Sequence, residues 1–253
     1  MWAGASVPQT PCQPFPPPLA ETALDPLDDV VSADVIREIC NFAGASRALQ
    51  PVVDAARPFL LGHSRGGKLS VLAAARDAAA GTPRVSALAL IDPVNNTVYA
   101  PQGPRFPSAT AALRGARAVG AIPLLAVGGG LASADCAPPG SNHAAFYEAA
   151  QGPAWNIIVE GGGHFQFVDS ASTLQRAVCA AGPAADDAVR GAAAAAAVAW
   201  GRLALFGDGG GGGWGAALDA VERDLALSLA AAVPAGSKRA PARPLSAARK
   251  RVP

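Results

Sequence analysis

Short apolar runs recur along the chain, spaced so that one helix fits between each pair. They fall at 59–61, 85–91, 122–127 and 155–159. Each is apolar at consecutive positions and soon closed by Gly or Asp, the pattern of strands buried on both faces. Between them, 67–80 and 142–150 are helix-compatible. This alternation predicts parallel βαβ units with right-handed crossovers, hence an α/β fold with a mostly parallel sheet flanked by helices. Upstream, Ser32 is placed to cap a helix through Val35, Ile36, Ile39 and Phe42, which recur at helical spacing. Downstream, an Ala-rich helix from about 184 to 205 is expected to pack on the sheet. GDGGGGGW after Phe206 ends it. A further helix at 216–233 carries Leu218, Val221, Leu225 and Leu229 as a packing stripe.

Polar and proline-rich stretches divide the chain into four parts. Residues 1–30 contain PQTPCQPFPPP and read as an extended arm, because proline fixes φ and has no N–H to donate. Residues 31–206 form the α/β domain, 207–235 a Gly-rich linker with its helix, and 236–253 a tail. Lys238, Arg239, Arg243, Arg249, Lys250 and Arg251, with prolines and no aromatics, make that tail read as basic and disordered.

Composition narrows the function. A chain of 253 residues holds one large domain, although its 51% apolar content overstates the core because much of it is alanine. The net charge of +1 gives no electrostatic case for nucleic acid. No apolar run reaches transmembrane length without a glycine, charge or turn signal, and neither a secretory signal nor a transit peptide is readable. Cys12, Cys40, Cys136 and Cys179 lack CxxC spacing. A Cys136–Cys179 bridge is conceivable, but free buried thiols are the expectation.

Gly62-His63-Ser64-Arg65-Gly66 fits G-x-S-x-G. Three fixed positions in so glycine-rich a chain arise by chance roughly one time in six, so the bare pattern is weak. Its setting is not: an apolar run precedes it and a helical segment with Lys68, Leu69, Val71, Leu72 and Ala75 follows, as a nucleophile elbow requires. Ser64 is the expected nucleophile, and the Arg65 backbone N–H, at the start of the helix, an expected oxyanion donor.

A serine needs a base and an acid to orient that base. Of three histidines, His63 is expected to point away from the serine and pack, and His143 to be a surface or supporting residue. His164 ends Glu160-Gly-Gly-Gly-His after the last apolar run, where a loop can fold over the top of the sheet, and is the expected base. The acid stays open on physical grounds. Asp92 sits rigidly at a strand tip, whereas Asp135 lies in a loop after 122–127, the commoner home for the acid.

These segments carry a resemblance. GHSRGGK at 62–68, IDPV at 91–94, DCAPPGSNHAAFYEA at 135–149 and GGGHFQFVD at 161–169, in this order, resemble plant and algal chlorophyllases, over roughly residues 30–205. The resemblance implies an α/β-hydrolase with Ser64 as nucleophile, Asp92 as acid and His164 as base. It further implies hydrolysis of the phytyl ester of chlorophyll to chlorophyllide and phytol, with no cofactor and no metal, in the chloroplast. The partner is then chlorophyll or a related hydrophobic ester. Only 63 residues precede Ser64. The family's early strands, and the loop giving the second oxyanion donor, are therefore expected to be missing. The alternatives are a carboxylesterase or lipase-like hydrolase acting on another ester, and a catalytically silent truncated fragment that only binds.

Overall fold

A computed structural model describes residues 28–97, 101–131, 136–207, 219, 223 and 245–250. Most of the expected arm at 1–30 and of the linker and helix at 207–235 lies outside them, as does Asp135.

The four apolar runs are strands: β1 Phe59–His63, β2 Ala87–Ile91, β3 Leu124–Gly129 and β4 Ala154–Val159. They pair in sequence order, all parallel, with Phe59 opposite Ala87, Leu88 opposite Leu124 and Leu124 opposite Ala154. When each strand neighbours the next, right-handed crossovers place their helices on one face. That face carries α1 Asp29–Ala45, α2 Arg65–Ala79, α3 Ala109–Gly115, α4 Arg117–Gly120 and α5 His143–Ala149. After β4 come α6 Thr173–Val178 and then α7 Asp186–Phe206, which covers the opposite face.

Alternation along each strand sorts the core. Leu88, Leu90, Leu124 and Ala126 pack under α2 and α5 with Val71, Leu72 and Phe146, while Ala89, Ile91, Leu125 and Val127 meet α7. The alanines of α7 at 192, 193, 196 and 197 let it lie close, and Trp155 and Trp200 fill the remaining depth. By length and composition alone α7 could cross a membrane. Here its apolar side, from Val189 to Leu203, lies on the sheet.

Two expectations need correction, and the face that α1 buries is a further finding. Asp28, not Ser32, caps α1: its carboxylate accepts from the Val30 N–H at 2.7 Å, while the Ser32 hydroxyl donates back to the Asp28 carbonyl. Of the apolar residues on α1, Ile36 and Ala33 reach the core, but Val31, Val35, Ile39 and Phe42 are 53–65% exposed. Finally, part of the tail expected to be disordered is a strand, β5 Leu245–Lys250, antiparallel to β4 with Ala154 opposite Lys250. Ladder bonds are made by main chain, so a segment without proline can close the open edge of β4 whatever its side chains. Among the described residues, no strand pairs with the other edge of β1.

Candidate active site

β1 ends at His63 and α2 begins at Arg65, so Ser64 alone turns the chain from strand to helix. It does so at φ 55°, ψ −125°, a conformation that costs a non-glycine residue about 1–3 kcal/mol and persists only where neighbours fix it. Its N–H donates to the Ile91 carbonyl (2.9 Å), and its carbonyl accepts from Gly67 (3.0 Å) and Val94 (3.2 Å). The turn is tight: a Cβ on Gly62 would lie 2.3 Å from the Gly66 carbonyl. A Cβ on Gly66 itself would meet nothing within 4 Å, whereas one on Gly67 would press on Pro93 at 2.9 Å. The second steric demand thus falls one residue beyond the motif. Arg65 is the first residue of α2, whose opening N–H groups point out of the helix end beside Ser64.

His164 opens a 3₁₀ turn, His164–Phe167, reached from β4 through Glu160–Gly163, where Gly161 adopts φ 74°. Its Nε2 lies 2.9 Å from Ser64 Oγ, and its Nδ1 lies 2.7 Å from Asp92 Oδ2. Asp92 follows β2 directly, is fully buried and has φ 40°. Its other oxygen, Oδ1, accepts the Gly129 N–H at 3.0 Å, and its own N–H donates to the Val127 carbonyl. An ionised carboxylate only accepts, so His164 carries its proton on Nδ1 and presents the Nε2 lone pair to the serine hydroxyl. The structure therefore joins Ser64, His164 and Asp92, from three separate loops, in one hydrogen-bonded chain.

Of the other two histidines, His63 differs from expectation, while for His143 burial excludes only the surface alternative. His63 does not point away: its Nε2 donates to the His164 carbonyl at 2.9 Å, and the two rings lie 4.9 Å apart. Burial, and then the neighbouring His164, push its pKa below the usual histidine value. His143 is buried, with Nδ1 2.9 Å from Asn156 Oδ1, and packs against the backbone of Gly128, where a Cβ would strike its ring.

Several supporting roles carried no sequence signal of their own. Gln166, buried within the 3₁₀ turn, accepts the Gly163 and Gly182 N–H groups on Oε1 and donates from Nε2 to the Ala184 carbonyl and Asp186. Asn95 ties the loop after Asp92 to the start of α3 by accepting the Ala109 N–H and donating to Ser108 and Thr110. Below the elbow, Asp29 of α1 holds Lys68 (2.7 Å) with one oxygen and Arg65 Nε (2.6 Å) with the other.

Cys136 and Cys179 are joined in a disulfide with Cα atoms 5.9 Å apart, where free thiols were expected; Cys40 is free. The bridge forms one wall of a cavity of about 310 Å³ that His164 lines, with Phe165, Leu174 and Val178. Among the described residues, no cluster of three or more His, Cys, Asp or Glu side chains is arranged to hold a metal ion.

A family model, Chlorophyllase, matches residues 22–215. Among curated relatives, Chlorophyllase-2 of Arabidopsis thaliana is 36% identical over 118 residues, covering 44% of this chain and 36% of that protein. The matched stretch thus spans about a third of the relative's length. Since the family match takes in the elbow, both strand-tip loops and α7, this chain belongs to the chlorophyllase family.

Proposed function

We propose that this protein is a serine esterase that hydrolyses the phytyl ester of chlorophyll, giving chlorophyllide and phytol. The observation that carries the reading is the chain Ser64 Oγ, His164 Nε2, His164 Nδ1, Asp92 Oδ2, with separations of 2.9 and 2.7 Å at its two hydrogen bonds. His164 takes the hydroxyl proton as Ser64 Oγ attacks the ester carbonyl carbon. Asp92 holds the imidazole in the tautomer this needs and stabilises the imidazolium that forms. The oxyanion develops at the N-terminus of α2, where the Arg65 N–H and the helix dipole favour negative charge. Collapse of the tetrahedral intermediate breaks the bond to the alcohol oxygen, and the proton on His164 Nε2 goes to phytol. Water then attacks the acyl-serine, giving its proton to His164, and the carboxylic acid leaves as Ser64 recovers its own.

The substrate class follows from family membership and from the apolar cavity beside His164. Phe165, Leu174, Val178 and the disulfide offer a branched hydrocarbon chain contact without hydrogen bonds to satisfy. The chloroplast, where chlorophyll resides, is the compartment this reading implies.

The test is turnover of chlorophyll a, read as water-soluble chlorophyllide, beside p-nitrophenyl esters and a triacylglycerol. Chlorophyllide release that disappears in Ser64→Ala supports the reading. Hydrolysis of the other esters alone moves the substrate to a general carboxylic ester, and no Ser64-dependent hydrolysis of any of them rejects the activity.

A further inference from the structure

We infer that His63, the residue before the serine, is a positioning residue for the base: its Nε2–H grips the His164 main-chain carbonyl. The inference rests on the reading of His164 as the base.

The placement follows from strand alternation. In β1, Leu60 packs toward the α2 face and Phe59 toward the α7 face. His63, four residues after Phe59, therefore emerges on the α7 side at the C-terminal end of the strand. The 3₁₀ turn carrying His164 lies there. The His63 ring is 4.9 Å from that of His164, tilted by 36°, and 6.3 Å from those of Phe165 and Phe167. Nε2 sits 2.9 Å from the His164 carbonyl oxygen, which can only accept, so the proton is on Nε2.

The base needs this grip because of how it is connected. It hangs on Gly161–Gly163, three residues with no side chains to anchor them. Asp92 orients the ring and Gln166 fixes the Gly163 N–H, but neither holds the carbonyl of His164 itself. His63 also has the right charge for the position. Burial favours its neutral form, and the titratable groups facing it are His164 and Asp92. A neutral ring does not oppose the imidazolium that forms on His164 as Ser64 attacks, whereas a fixed cation there would.

Two substitutions separate the hydrogen bond from the packing. His63→Phe keeps a ring but removes the donor; His63→Gln removes the ring but extends an amide N–H to the same distance. With a p-nitrophenyl ester, His63→Phe is expected to lower kcat by about 10²-fold at unchanged KM, the scale of an ångström-level misplacement. His63→Gln is expected to restore kcat to within a few-fold of the parent. Wild-type kcat in His63→Phe, or equal loss in both variants, overturns the inference. If the phenylalanine variant does not fold, His63→Gln decides: native melting with a hundredfold loss of kcat overturns it. Ser64→Ala run in parallel isolates the underlying reading, since turnover that survives it removes the triad whatever His63 does. The Nδ1 proton of His164, hydrogen-bonded to Asp92 and observable by NMR, gives a readout independent of turnover. It should keep its shift in His63→Gln and move or broaden in His63→Phe, and an unchanged signal in the latter overturns the inference.

Discussion

Lys68 Nζ and Asp29 Oδ2 lie 2.7 Å apart with both side chains almost wholly buried, so a desolvated charge pair pins α1 to the helix that follows the serine. Removing one partner of such a pair costs about 3–5 kcal/mol because the other charge stays buried. Asp29→Asn is therefore expected to destabilise the protein by about that amount, read by urea or thermal unfolding. The double replacement Asp29→Leu with Lys68→Met should recover most of the loss. A double variant no more stable than the single one would show that the pair is not what holds α1.

Asp92 makes two hydrogen bonds of different kinds, one to His164 and one to the Gly129 N–H. Asp92→Asn keeps the side-chain shape but lets the amide NH₂ face Nδ1, which favours the wrong imidazole tautomer. Ester turnover is expected to fall about 10⁴-fold with little change in KM. Asp135→Asn, at the other acid considered from sequence, should change it little. The opposite ranking would move the acid to Asp135.

The sheet was readable because each strand is apolar at consecutive positions and ends in Gly or Asp. β1, β2, β3 and β4 begin or end within two residues of the runs that foretold them. Ser64 was legible for the same local reason, a strand, a turn and a helix within a few residues. The choice of Asp92 over Asp135 was not: it came from resemblance to a family, because strand-tip rigidity and usual topology pointed in opposite directions. The face of α1 escaped because apolar residues at 31, 35, 36, 39 and 42 lie on more than one side of the helix, so spacing alone could not choose Ile36 over Phe42. The contacts of Gln166 and the closing of the Cys136–Cys179 bridge depend on the fold bringing distant segments together; the sequence offered that cysteine pair as conceivable but had no means of choosing it over free thiols.

Asp77 ties the end of α2 to Arg84 and to Arg37 of α1. Burial alone would raise its pKa, but the hydrogen bonds from Arg84 and Arg37 outweigh burial and hold it below the ordinary aspartate value. A depressed carboxyl adds stability that is full above the unfolded value, about pH 4, and is lost as pH falls through the lower folded value. Melting temperature should therefore drop on acidification below about pH 4. Asp77→Asn should cost about 2 kcal/mol at pH 7 and flatten that acid limb. Parallel limbs in the two proteins would exclude Asp77 as a source of the acid sensitivity.

The disulfide closes a loop spanning 43 residues of sequence. On the chain-entropy account a loop of that size stabilises by about 4 kcal/mol. Cys136→Ser with Cys179→Ser is expected to lower stability by up to that amount, measured by denaturant unfolding under non-reducing conditions. Identical midpoints for parent and double variant would show that the bridge does not form in solution.

The monotonic strand order bears on how the chain is made. Each of β2 to β4 pairs with a strand already synthesised, so the parallel ladder can grow in step with the ribosome as far as Val159. The helices of the first face emerge before or between the strands and can cover it as it forms. The second face waits for α7, which is complete only at Phe206. At ordinary elongation rates that leaves Ala89, Leu125, Trp155 and Ile157 uncovered for roughly 2–9 s during translation. Nascent chains stalled after β4 should therefore recruit chaperones that bind exposed apolar surface, and chains stalled once α7 has left the exit tunnel should release them.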